Sequence, residues 1–324
     1  ALQVLREGGN AMDAAVTAAA TLAVTEPQST GLGGDCFILY HDEKSNQLTG
    51  LNGSGRAPSG ATFEAYVSRG YQEMPETGLH SSMVPGTVDA WATALERFGT
   101  RKLSSALEPA IDYAENGFAV TPVIGRVWAN TADLLAKFPD SARELLVDGK
   151  APKTGTIHRQ LDLAQSLKLI AADGPDAFYR GPIAEEIVRY SKGNDGFFEA
   201  EDFANHTSTW VDPISSSYRG YEVFELPPNG QGITALMMLN ILEHVDFSQV
   251  ERLSAEHVHL FAEAYKMALA ERDAWVGDPD FDGSPIEQML SKSFGESQYQ
   301  RIDRAKAMTP PLQSVIGAKD TVYL

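Results

Sequence analysis

Basic side chains are scarce in this sequence. Its 324 residues carry 26 Lys and Arg against 44 Asp and Glu, a formal net charge of −18 at pH 7. A phosphate-binding surface needs clustered cations to displace counterions, so this balance disfavours nucleic acid, and it disfavours anionic membranes for the same reason. Small-molecule or peptide partners fit better, with most of the excess acid expected on a solvated surface. Cysteine is scarcer still. The single Cys36 excludes an intrachain disulfide framework, and no Cys/His set with zinc spacing accompanies it, which leaves the compartment open. There is no long hydrophobic run either. The most apolar early stretch, Ala11 to Val24, is too short and too rich in alanine to span a bilayer and reads as a buried soluble helix. The chain opens without Met, a basic segment or a cleavage site, and so reads as already trimmed. What is present is an ordinary globular composition, 43% hydrophobic and 9% aromatic, long enough for one large domain or two ordinary ones.

Periodicity divides the chain into blocks. Asn10 caps a helix through Ala11, Ala14, Ala15, Ala18, Ala19 and Ala23, which Glu26-Pro27 ends. Cys36 to Tyr40 is a compact apolar run that predicts a buried strand, paired with Leu48 to Leu51 across a polar turn at Asp42 to Gln47. From Pro85 to about Ala172 the pattern is helical: Val88, Trp91, Ala92 and Leu95 share a face, and Leu103 to Ala114 and Leu161 to Ile170 are amphipathic. Strand character returns at Trp210 to Ile214 and Tyr221 to Leu226. An apolar helix at Ile233 to Leu242 and a long amphipathic one at Ala255 to Trp275 follow. Strands and helices in blocks predict an α+β arrangement of sheet layers covered by helices, rather than regular βαβ alternation.

Several motifs invite chemistry and each has a plainer reading. Gly31-Leu32-Gly33-Gly34 has the look of a phosphate loop, but it follows a helix and precedes a strand, the reverse of a dinucleotide fingerprint; a tight backbone turn beside a site fits better. Asp278, Asp280, Asp282 and Gly283 imitate the start of a calcium loop. Met289 stands where the bidentate glutamate belongs and Pro279 interrupts the loop, so a solvated turn is expected. His257 and His259 lie two apart on a helix and face different ways. Cys36 could serve as a thiol nucleophile, though a cysteine within an apolar strand is more often a small core residue. Asp320-Thr321, taken by itself, is an unremarkable dipeptide opening a short strand.

Taken together, a set of segments resembles the gamma-glutamyltranspeptidase family of N-terminal nucleophile hydrolases, in the order and spacing of its large subunit and over nearly the whole chain. It is carried by Gly8-Gly9-Asn10-Ala11-Met12-Asp13-Ala14-Ala15, by Glu26-Pro27-Gln28-Ser29 with Gly31 to Gly34, and by Val84-Pro85-Gly86-Thr87-Val88. Further on come Gly174-Pro175-Asp176-Ala177-Phe178-Tyr179, Tyr218-Arg219-Gly220-Tyr221, Pro227-Pro228 with Gly232, and Gly277 to Phe281. The resemblance implies a four-layer αββα sandwich, with residues 1–324 as a single domain portion made of the large subunit, 1–320, and the first residues of a small subunit, 321–324. It implies a precursor that cleaves itself between Asp320 and Thr321, so that Thr321 becomes an N-terminal nucleophile. A threonine hydroxyl needs a base within reach, and a freed α-amine, with a reference pKa of about 7.7 to 8.0, supplies one at neutral pH. Neither a metal nor an organic cofactor is implied. The partners implied are a small-molecule amide or gamma-glutamyl substrate and the protein's own small subunit, which holds the oxyanion donors.

The sequence departs from the transpeptidases at two places. Asp320-Thr321-Val322-Tyr323 is similar to the acylase-like and amidohydrolase-like members rather than to the Thr-Thr-His form. Where transpeptidases hold the substrate α-carboxylate with the arginine of an Arg-x-x-Ala-Pro pattern, Ser54-Gly55-Arg56-Ala57-Pro58 has serine, with arginine two positions later. Arg56 either supplies the carboxylate fork from a shifted position or is an exposed turn residue. The expected activity is hydrolysis or transfer of short acidic acyl amides through an acyl-enzyme. Gamma-glutamyl transfer or glutathione hydrolysis is the alternative, and a non-catalytic homologue that never matures is the rival from another class.

Overall fold

The computed structural model describes residues 1–281 and 283–316. The chain divides into two compact units, Ala1–Phe37 with Gly53–Thr209 and Ile38–Asn52 with Trp210–Leu324.

The first unit is built on helices. Helix α1 (Ala11–Thr25) starts at Asn10 as expected, through a reciprocal capping box: the Asn10 side chain accepts from the Asp13 N–H at 3.0 Å, and Asp13 accepts from the Asn10 N–H at 2.8 Å. Helices α2 (Thr87–Phe98), α3 (Leu103–Asn116) and α4 (Leu161–Asp173) follow, with α1 against α3 and α3 against α4. Small buried residues line these contacts, Ala14, Ala20 and Ala23 on α1 and Ala106, Ala110 and Ala114 on α3, so the backbones can approach closely. The helical stretch predicted from Pro85 onward is interrupted by one short antiparallel pair, Phe118–Ala119 with Ile157–His158. Asp13 also joins α1 to the end of α2. Its carboxyl accepts the N–H groups of Thr100 at 2.8 Å and Arg101 at 3.0 Å and the Thr100 hydroxyl at 2.6 Å, while Asn10 donates to the Phe98 carbonyl at 2.6 Å.

The second unit mixes strands and helices. Strands β1 (Cys36–Asp42) and β2 (Gln47–Gly53) are neighbours, and β2 also pairs with β3 (Thr209–Val211). The polar turn between β1 and β2 is organised by Asp42, whose side chain accepts from the N–H groups of Lys44 and Ser45 and from the Ser45 hydroxyl. The strand predicted at Trp210 to Ile214 is in fact divided. It ends at Val211, and β4 (Ile214–Tyr218) begins after Asp212-Pro213, because proline has no N–H for a ladder. Strand β4 pairs antiparallel with β5 (Tyr221–Glu225) across a two-residue turn, Arg219-Gly220, with both φ values positive at 50° and 85°. Helices α5 (Gly232–Leu242), α6 (Ala255–Trp275) and α7 (Lys292–Tyr299) enclose two apolar clusters. One holds Ile241, Leu242, Leu260 and Met267, the other Ile233, Met237, Ala268 and Phe294. Asn240, fully buried on α5, donates to the Leu290 carbonyl and accepts from Ser216 and Lys292.

Burial alone would raise the Asp13 pKa, but the Thr100 hydroxyl and the backbone N–H groups of Asn10, Thr100 and Arg101 outweigh it and hold the carboxyl below its usual range. A depressed folded-state pKa stabilises above the unfolded value, about pH 4, and that stability is lost as pH falls through the folded value. Asp13→Ala is expected to destabilise the protein by about 2–3 kcal/mol at pH 7 and by progressively less toward pH 3, read from urea midpoints. An undiminished difference at pH 3 would contradict this account.

Candidate active site

Three segments of the first unit meet through their backbones. The Gly34 carbonyl accepts two N–H groups, those of Gly86 and Thr87, each at 3.0 Å. The Gly55 N–H donates to Asp35 Oδ1 at 3.2 Å, and the Val84 N–H donates to the Arg56 carbonyl at 3.0 Å. Side chains are excluded by this approach. A Cβ on Gly55 would lie 1.5 Å from the Val84 carbonyl oxygen, and one on Gly86 would lie 2.0 Å from that of Gly53. The run Gly31 to Gly34 is therefore a turn that brings chain close to chain, and it leads from α1 into β1, opposite to the order a phosphate loop requires.

Behind this junction lies a buried polar network. The Tyr179 hydroxyl donates to the Pro85 carbonyl at 2.8 Å and accepts from the Asp89 N–H at 3.1 Å; burial pushes its pKa far up. Asp89 in turn accepts from the Ser208 N–H at 2.7 Å. The His206 ring stacks on Tyr179 with centroids 5.1 Å apart and planes 19° from parallel. Burial depresses the His206 pKa; beyond that, Asp89 raises it, Arg56 lowers it and Asp35 raises it, so Arg56 is within electrostatic reach of the imidazole. His206 Nε2, the Ser208 hydroxyl and both amide atoms of Gln28 are buried without a hydrogen-bond partner among the described residues. Polar groups left unsatisfied in this way cost free energy and accumulate where a ligand or further chain completes them.

The structure brings Ser54 and Arg56 together on the segment that crosses Val84 and Gly86, with Ser54 half-buried and Arg56 exposed. Asp320 and Thr321 lie outside the described residues. Asp35, Asp89, Tyr179, His206 and Gln28 were given no role from the sequence. Gln28 and Tyr179 do stand in segments that carry the family resemblance, and Asp35 adjoins the glycine run, but nothing local marks Asp89 or His206.

The remaining sequence candidates have structural roles. Asp278 caps a turn, its Oδ1 accepting from the Asp280 N–H at 2.9 Å; Asp282 lies outside the described residues. Among the described residues no three His, Cys, Asp or Glu side chains gather as metal ligands. His257 stacks on Phe261, and His259 hydrogen-bonds the Asp303 carbonyl. Cys36 is a half-buried free thiol at the start of β1.

Solved structures of known enzymes share this fold. A gamma-glutamyltranspeptidase from Helicobacter pylori matches with a TM-score of 0.89 and 30% identity, over 95% of this chain and 89% of that one. A cephalosporin acylase from Bacillus halodurans matches with a TM-score of 0.87 and 37% identity, over 93% of this chain and 57% of that one. They place the protein in the N-terminal nucleophile hydrolase class, the α+β fold expected from the sequence. Within that class the chain belongs to the gamma-glutamyltranspeptidase family of enzymes, whose family model matches residues 1–324. A glutathione hydrolase-like YwrD proenzyme from Bacillus subtilis is 41% identical over 322 residues, 99% of this chain, and the chain spans 60% of that relative's length.

Burial and the Asp35 carboxylate push the Cys36 thiol up to about 11. The thiolate fraction at pH 7 is then about one in ten thousand, so alkylation by iodoacetamide should be slow there and accelerate through pH 10 without levelling. A plateau below pH 9 would restore Cys36 as a candidate nucleophile.

Proposed function

We propose that the full-length protein is a self-processing threonine amidohydrolase or acyltransferase. The observation that carries this reading is a family match over residues 1–324, Asp320-Thr321 included, together with a 41% identical relative that is by name a proenzyme.

The chemistry requires two uses of one hydroxyl. In processing, Thr321 Oγ attacks the Asp320 carbonyl carbon and an ester replaces the peptide bond, which frees the Thr321 amine; water then hydrolyses the ester. In turnover, the free amine takes the hydroxyl proton as Oγ attacks the substrate amide carbonyl, and that proton passes to the leaving amine. Water or an acceptor amine releases the acyl group. The oxyanion donors and the rest of the acyl pocket belong to the portion of the protein that follows, the small subunit of the resulting heterodimer.

Arg56 is the substrate-binding cation in this reading, with Ser54 beside it, and short acidic acyl amides are the substrate class. A serine hydroxyl cannot replace a guanidinium fork where transpeptidases read the α-carboxylate. The B. halodurans structure, by its description a cephalosporin acylase, supports an acylase-like specificity. The YwrD relative, by its name glutathione hydrolase-like, favours gamma-glutamyl donors as the second reading.

Thr321→Ala in the full-length protein should leave one uncleaved chain and no amide hydrolysis, where wild type gives two chains by mass spectrometry; processing that survives the substitution excludes Thr321. A wild-type protein that stays intact and inert would favour a non-catalytic homologue. Arg56→Ala should raise KM about ten- to a hundred-fold for carboxylate-bearing acyl amides while sparing uncharged ones. Wild-type kcat/KM for glutathione above that for every glutaryl or oxamate-type amide tested would return the protein to the transpeptidases.

A further inference from the structure

Helix α6 buries two carboxyl groups, Glu263 at 0% and Glu271 at 1% exposure. A buried carboxyl is costly unless it is fully partnered, and both of these find partners in the same stretch of chain. Glu263 Oε2 accepts from the Met308 N–H at 3.1 Å, and Lys266, paired with Glu263, donates to the Met308 carbonyl at 2.7 Å. Eight residues along, about 12 Å by helical rise, Glu271 Oε1 accepts from the Val315 N–H at 2.8 Å and Oε2 from the Ser314 hydroxyl at 2.5 Å. The Trp275 indole N–H completes the junction by donating to Ser314 Oγ at 3.0 Å.

The clamped stretch, 308–316, contains neither helix nor strand. Met308 and Leu312 rest on one apolar cluster, and Ile316 is buried in the other, beside Ile233, Met237 and Ala268. Apolar contacts hold a segment down without strongly specifying its register. Bonds from one carboxyl to a particular N–H and a particular hydroxyl do specify it, because a one-residue slip breaks both. Four residues separate Ile316 from Thr321 in the sequence.

We propose that Glu271 is a positioning residue for self-cleavage: through Ser314 and Val315 it sets the register of the chain that enters the Asp320–Thr321 bond. The inference rests on the processing reading above. Its action is indirect: by fixing Ser314 and Val315 it limits the arrangements from which the chain after Ile316 starts, which raises the fraction of molecules in an attack geometry.

The test is the self-cleavage time course of full-length Glu271→Gln, purified uncleaved and followed by mass spectrometry at a temperature where circular dichroism shows it folded. The amide oxygen can still accept the Val315 N–H, but the amide nitrogen cannot accept the Ser314 proton, which is left to the Ile316 carbonyl 2.9 Å away, so the charge-assisted bond from Ser314 is lost and cleavage should slow about ten-fold. Once fully processed, the variant should turn over substrate with kcat/KM within about two-fold of wild type. Should Glu271→Gln fail to fold, Ser314→Ala removes the hydroxyl, and with it the contacts to Glu271 Oε2, the Trp275 indole and the Ile316 carbonyl, while the Val315 N–H keeps its bond to Glu271; cleavage should slow about three-fold. A folded Glu271→Gln that cleaves at the wild-type rate, or a folded Ser314→Ala that does so where Glu271→Gln cannot be obtained, overturns this role and leaves the processing reading intact. A wild-type protein that never cleaves overturns both.

Discussion

The carbonyl of Gly34 and the missing side chains of Gly55 and Gly86 form the constraint on which the candidate site depends. One oxygen accepts from two successive N–H groups, at Gly86 and Thr87, where α2 begins, while Gly55 presses against Val84. Contacts of this kind leave no room for a Cβ, so the three segments either meet in this one arrangement or do not meet. The placing of Ser54 and Arg56 follows from it, because they flank the glycine that makes the crossing possible.

The polar network behind the junction explains how such a crossing is kept rigid. Tyr179 bridges the Pro85 carbonyl and the Asp89 N–H, Asp89 reaches the Ser208 N–H, and His206 stacks on the tyrosine ring. Burial keeps Tyr179 protonated and His206 inclined to neutrality, which lowers the charge that must be held away from water. The unsatisfied atoms of Gln28, His206 and Ser208 lie in the same unit as this network.

The second unit uses buried charge differently. Helix α6 has apolar residues, Leu260, Ala264, Met267 and Ala268, interleaved with Glu263 and Glu271, so it serves as a core helix and as a polar ladder for the stretch that follows Asp303. The acidic excess of the chain is therefore not all solvated surface. Asp13, Glu263 and Glu271 are buried acceptors for backbone N–H groups from distant parts of the sequence.

The sequence by itself determined the local elements and the family. Asn10 capping α1, the polar turn organised by Asp42 and the long α6 all rest on interactions spanning a few residues, whose signals are written in adjacent letters. Even the break at Pro213 had a local cause, the missing N–H, although the apolar run around it reads as one strand. The tertiary structure alone decided which polar residues are buried and what they hold. Asp89 and Ser208 are 119 positions apart, and Glu271 and Val315 are 44 apart, so no periodicity or spacing links them. A carboxyl on a helix reads the same whether it faces water or a backbone N–H; the difference is made by the segment that folds back over it, and that segment is chosen by the packing of the whole unit.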